Sequence, residues 1–217
     1  MRLSRSIEGC VYSNIVANFK KQKMILFAYL IIYFLLVFIV RSVLLWIKTG
    51  INPLSFNKTD DAHGFNGKVF AIITFLELIV VGLYAFKNEW YEYLLPFWYL
   101  EHPVLQKVGW GFLILSLIVV WVAQTQMVNS WRIGIDKINK TKLVTNGLFS
   151  LTRNPIFLGI MIANIGLFFV IPNAFTLLII SLSTVIINIQ IKLEEDFLRR
   201  EFGNDYVDYA EKVRRWI

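Results

Sequence analysis

Residues 154–191 read NPIFLGIMIANIGLFFVIPNAFTLLIISLSTVIINIQI, 38 consecutive positions without a charged side chain. At about 1.5 Å per residue, a hydrocarbon layer ~30 Å thick needs roughly 20 helical residues, so this stretch approaches two crossings. Pro172-Asn173 stands near its middle. Proline breaks a helix and asparagine favours a turn, which predicts a helical hairpin over residues 155–171 and 174–191. Three other apolar runs precede it. Residues 24–40 carry no charge and the run resumes after Arg41 through Ile47; residues 69–86 are interrupted only by Glu77; residues 108–127 are uncharged throughout. The pattern predicts an all-α integral membrane protein of about five transmembrane helices, ending in the hairpin and a C-terminal interfacial helical tail. Residues 1–128 hold three N-terminal spans, and residues 129–217 form a second region.

Composition agrees. Of 217 residues, 57% are hydrophobic and only 17% charged, against roughly 25% charged in soluble domains. The net charge of +7 fits lysines and arginines at cytoplasmic helix ends better than a nucleic-acid partner, and none is expected. A single cysteine, Cys10, excludes an intrachain disulfide, and the two histidines, His63 and His102, lack paired ligand spacing, so no metal site is expected. Phosphate-cradling glycine motifs are absent. Lys20, Lys21 and Lys23 precede the first apolar run, but that run is too long for a signal peptide and reads as a retained helix. Residues 91–100, rich in Trp and Tyr, read as an interfacial element. With five spans, the side holding the tail carries 14 Lys and Arg against 7 on the other, which predicts a cytoplasmic tail.

Polar residues at membrane depth are the first candidates for chemistry, because burying them is costly. Arg41 and Glu77 are expected to pair, and Gln124, Gln126, Asn164, Asn188 and Gln190 to serve as interhelical hydrogen bonds. A second group stands at the membrane edge: Leu143, Val144, Thr145, Gly147 and Phe149, then Arg153-Asn154-Pro155, then Glu194-Glu195 beyond the hairpin. Hairpin topology returns the glutamates to the face where Arg153 stands. Proline suits the first helical turn, and the helix start offers unpaired donors and a positive dipole end. These features describe a polar pocket over a lipid-accessible cavity, or equally an Arg–Glu clamp holding the hairpin. After Lys192 the last span continues as an amphipathic helix to Phe202-Gly203, and Tyr206, Tyr209, Val213 and Trp216 would bury a second short helix.

The order and spacing of Leu143, Val144, Thr145, Gly147, Arg153, Pro155, Phe157, Gly159, Glu194, Glu195, Phe202, Gly203, Tyr206, Tyr209 and Val213 resemble the isoprenylcysteine carboxyl methyltransferase group and its phospholipid methyltransferase relatives. The likeness covers about residues 129–217, with Ser130-Trp131-Arg132 at its front edge; the first three helices match only in hydropathy. Two positions depart from the family pattern: Asn154 stands where the group has His, and Phe157 where it has Tyr. Asparagine cannot titrate near neutral pH as histidine can. The resemblance implies a methyltransferase-like C-terminal region that uses S-adenosyl-L-methionine and takes a prenylated or other lipid-like acceptor from the bilayer. It implies cofactor contacts at Val144, Gly147, Phe149, Arg153, Asn154, Pro155, Phe157, Glu194, Tyr206 and Tyr209, and assigns catalytic roles to Arg153, Glu194 and Glu195. Of the two glutamates, Glu194 is expected to face the cofactor and Glu195 the arginine or the tail. Phospholipid amine methylation, a sterol-type NADPH reductase and a membrane scaffold without activity remain alternatives at this point.

Overall fold

The computed structural model describes residues 20–50, 62–127 and 142–217. Ser130-Trp131-Arg132 and the basic residues before Lys20 lie outside the described residues. Among the described residues the chain is helical and contains no strand. The long helices are α1 (Lys20–Lys48), α2 (Ala62–Phe86), α3 (Pro103–Gln126) and α5 (Ala174–Phe202), all long and apolar enough to cross a bilayer, with the shorter apolar α4 (Pro155–Val170) between α3 and α5. The amphipathic α6 (Asn204–Lys212) follows.

The long helices run past their uncharged cores, α1 at both ends, α2 and α3 at their starts and α5 at its end. An interfacial Lys, Glu or Asn forms helical hydrogen bonds as readily as a buried Leu, so hydropathy marks the crossing and not the helix end. The hairpin turn is built by the residues that signal it. Asn173 Oδ1 accepts from the Thr176 backbone N–H at 2.9 Å, and Thr176 Oγ1 accepts from the Asn173 N–H at 3.2 Å, a capping box that starts α5. Residues 87–102 form short helical turns that dock on this corner: the Phe97 N–H donates to the Pro172 carbonyl and the Ala174 N–H to the Leu95 carbonyl. The interfacial reading of residues 91–100 thus has a partner in the hairpin turn.

Helix α4 packs most closely on α3. A Cβ on Gly109 would sit 2.7 Å from the Gly166 carbonyl oxygen, and one on Gly166 2.9 Å from that of Gly109. Small residues permit this approach, which in lipid gains packing and not hydrophobic burial. Polar side chains join α1 to α3: Gln124 Nε2 donates to the Val37 carbonyl, inside a π-helical turn over Leu35–Val40, and Tyr33 Oη lies 3.1 Å from Ser116 Oγ. Gln124, Gln126 and Gln190 act between elements as expected, whereas Asn188 bonds to Thr184 of its own helix.

The expected Arg41–Glu77 pair does not form. Arg41 Nη2 donates to the Gln124 carbonyl at 2.6 Å, and Glu77 has no hydrogen bond or ion pair among the described residues. Phe27 packs on Phe86 at 4.9 Å. Stepping nine residues back along antiparallel α2 therefore sets Glu77 level with about residue 36 of α1, roughly a turn short of Arg41. Glu77 instead faces a cavity of about 30 Å³ with Tyr33, Thr74, Asn164 and Ser183.

Candidate functional site

The helix directions put the residue 142–154 segment, the start of α2, the end of α5 and α6 at one end of the bundle. Gly147 opens a 3₁₀ turn, Gly147–Ser150, with φ +62°. A Cβ there would overlap the Gln126 side chain, whose Oε1 accepts from the Leu148 N–H at 2.8 Å. The positive φ favours glycine, and a Cβ would also push the end of the Gln126 side chain off the Leu148 N–H. Tyr209 is buried and its hydroxyl donates to the Phe149 carbonyl at 2.6 Å, tying α6 beneath the turn. Val144 is half-buried in the preceding segment.

Thr152, Arg153 and Asn154 are sewn to the C-terminal tail. The Arg153 N–H donates to the Arg214 carbonyl at 3.0 Å, while Thr152 Oγ1 and Asn154 Nδ2 both donate to the Arg215 carbonyl. Pro155 sits in the first turn of α4, and Asn154 gives that helix no side-chain cap because its amide is turned to the tail. The helix start keeps its unpaired donors and positive dipole end. Phe157 is half-buried one turn inside.

The adjacent glutamates diverge, as neighbours about 100° apart on a helix must. Glu195 receives Arg215 through Nε at 3.0 Å and Nη2 at 2.6 Å, and Arg153 Nη2 stands 3.3 Å away. Glu194 Oε1 accepts from Gln190 Nε2 at 2.9 Å, and its Oε2 has no partner among the described residues. Asn154 does not join Glu194. Arg153 Nε is buried without a hydrogen-bond partner among the described residues, which is a donor in want of an anion.

Burial raises the pKa of Tyr206, with Glu195 adding to the effect and Arg153 opposing it; the Tyr209 hydroxyl is pushed up to about 12 by burial and by Tyr206. Both remain neutral hydroxyls near neutral pH. The hydrogen bond to Glu195 raises Arg215 further above neutrality, so that clamp stays charged.

Two groups at this end have no counterpart in the motif reading. His63 and Asn66, in the first turns of α2, are buried against Gln190 and thus one bond from Glu194. The first half of the chain offered only hydropathy to compare. A polar pair three residues apart at the head of an apolar helix was the available signal.

Known proteins match this same region. Residues 105–205 match the model of the phospholipid methyltransferase family. The chain is also similar to two proteins named "Probable protein-S-isoprenylcysteine O-methyltransferase", from Oryza sativa subsp. indica and subsp. japonica. Each is 32% identical over 122 residues, covering 54% of this chain and 60% of the relative. The chain thus spans about 60% of the length of the curated relatives it matches. Residues 105–205, from α3 to the start of α6, are thus similar to the phospholipid methyltransferase family, the group that the motifs resemble.

Proposed function

We propose that the protein is an S-adenosylmethionine-dependent membrane methyltransferase that methylates the carboxylate of a prenylated or similar lipid-like acceptor. The observation that carries this reading is Arg153. Its side chain lies 15% exposed beside Glu195, and Nε is buried without a partner among the described residues, at the uncapped start of α4. That donor set suits the α-carboxylate of the methyl donor, and the unpartnered Glu194 oxygen suits its ammonium or a ribose hydroxyl. Bound there, S-adenosylmethionine would supply an electrophilic methyl group on a sulfonium.

Transfer from a sulfonium is an in-line displacement, so the protein's work is alignment and exclusion of water. Phe149, Phe157 and Val144 supply apolar walls; Tyr206 and Tyr209, both neutral, close the floor without acting as bases. Glu195 holds Arg153 in place through its carboxylate. A carboxylate acceptor is ionised at pH 7 and needs no base, and exposed Arg199 is a cation at this end for drawing it in. Asn154, which cannot titrate near neutrality, is compatible with such an acceptor. The basic-residue imbalance supports a cytoplasmic location for this end.

The matched family name favours one second reading, methylation of a phospholipid amine. An ammonium must first lose a proton, and Glu194 with its open oxygen is the residue that would accept it.

Calorimetry of the detergent-purified protein tests the main reading. S-adenosylhomocysteine should bind and NADPH should not. Binding of NADPH alone would select a reductase, and binding of neither would leave a scaffold. Labelled-methyl transfer to a farnesylcysteine analogue, against vesicles containing phosphatidylethanolamine, then separates the two acceptors.

A further inference from the structure

Helix α2 lies outside the matched region 105–205, yet its first turns reach Glu194. We propose that His63 and Asn66 are positioning residues of the site: they fix the side-chain amide of Gln190 so that it donates to Glu194. This rests on the reading of Glu194 as a ligand-binding carboxylate.

The hydrogen-bond inventory assigns each atom in turn. The Ile186 backbone carbonyl can only accept, and Asn66 Nδ2 lies 3.2 Å from it, which fixes which end of the Asn66 amide is nitrogen. The same nitrogen donates to Gln190 Oε1 at 2.9 Å, so the Gln190 oxygen faces α2. Gln190 Nε2 is then left with two hydrogens and two partners: Glu194 Oε1 at 2.9 Å and His63 Nδ1 at 3.1 Å. His63 Nδ1 must accept, and its ring proton sits on Nε2. Turning the Gln190 amide over would set its oxygen against the carboxylate and its nitrogen against Asn66, losing both of those bonds. His63, Asn66 and Gln190 are each at least 95% buried, so water cannot stand in for a lost partner.

The consequence for Glu194 is specific. One oxygen is held by Gln190, which sets the plane of the carboxylate and leaves Oε2 as the oxygen available to a ligand. A bond that merely fastened α2 to α5 would not need this polarity, because any donor–acceptor pair would do. Here each amide orientation is dictated from the backbone of Ile186 outward to the functional carboxylate. The N-terminal helices thereby enter the binding site without touching its ligand.

The test uses the full chain in detergent, with S-adenosylhomocysteine affinity read by calorimetry and Tm read in parallel. In His63→Asn, Oδ1 stands close to where Nδ1 was, so the acceptor is kept; in His63→Leu it is lost. His63→Leu should weaken binding roughly two- to tenfold, the scale of one hydrogen bond, and His63→Asn should stay within about twofold of the native chain. In a Gln190→Leu background His63→Leu should cost nothing further, because the effect passes through Gln190. If His63→Leu does not fold, His63→Asn is compared with His63→Gln, whose oxygen falls near the other ring nitrogen and should bind more weakly. A lowered Tm with unchanged affinity, additive losses in the Gln190→Leu background, or equal affinity of the Asn and Gln variants would overturn the relay while leaving the methyltransferase reading intact. A native chain that binds no S-adenosylhomocysteine would overturn both.

Discussion

Replacing Glu195 by alanine removes the hub that holds the C-terminal tail against the Arg153 segment. Its side chain is 14% exposed and bears on two guanidinium groups, Arg153 at 15% exposure and Arg215 at 36%. Leaving the Arg153 guanidinium buried without its ion-pair partner costs about 1.5–3 kcal/mol. The Arg215 arm is bidentate but exposed enough for solvent to screen it, so it adds only about 0–1 kcal/mol. Glu195→Ala should therefore destabilise by about 1.5–4 kcal/mol. Arg215→Ala should cost about 1 kcal/mol or less, because Glu195 keeps Arg153 and because the bonds from Thr152 and Asn154 go to the Arg215 carbonyl and not to its side chain. At roughly 2–4 °C per kcal/mol for a chain of this size, Tm in detergent should fall by about 3–16 °C in the first variant and by under about 4 °C in the second. Equal falls, or a larger one for Arg215→Ala, would refute the assignment of the stability to the buried arm.

Arg153→Ala should weaken S-adenosylhomocysteine binding by about 1.5–3 kcal/mol, measured by calorimetry, while Glu195 retains Arg215 and the chain stays folded. Gly147→Ala should destabilise by about 2–4 kcal/mol, since it combines a left-handed residue with overlap on Gln126; an unchanged Tm would mean that the turn rearranges freely. Glu77→Gln should leave Tm equal or higher, because the carboxylate has no ion-pair partner to lose among the described residues, and a clear fall would show that the charge itself is used. Cysteine labelling in intact cells should find a Cys at position 205 protected and the native Cys10 reactive; protection of both would contradict five crossings.

The membrane helices and the hairpin were legible because hydropathy and Pro172-Asn173 are local signals that no tertiary contact overrides. The five-helix order and the break between α4 and α5 follow from such signals, whereas the capping of α5 by Asn173 and the docking of residues 91–100 on that corner do not. What escaped was relational. Arg41 and Glu77 looked like a pair because opposite charges at membrane depth seek each other. Whether they meet depends on the axial offset of α1 against α2, which Phe27 and Phe86 set and which no periodicity in either helix encodes. The same blindness hid His63 and Asn66, whose importance comes from α5 running beside α2. Asn188 failed in the opposite sense: an amide on an apolar helix suggests a neighbour, but an accessible carbonyl four residues back satisfied it first.

The hairpin explains why the tail bears on the site at all. Two short apolar helices joined by a three-residue corner must return the chain to the end from which it left, and α5 overshoots α4 because it is 29 residues long against 16. That overshoot carries Glu194 and Glu195 past the start of α4, to the level of Arg153. Gly203, at φ +54°, then breaks the helix, and α6 folds Tyr206 and Tyr209 back under the turn at Phe149. The last residues run on to meet Thr152, Arg153 and Asn154 through the carbonyls of Arg214 and Arg215. These three bonds to the tail fall on its backbone, so apart from Arg215, which also holds Glu195, its side chains are freer to vary than its length. Removing residues 213–217 should therefore unpair the amide and hydroxyl groups at the entrance of α4 together, whereas Arg214→Ala, which keeps its carbonyl, should leave them bonded.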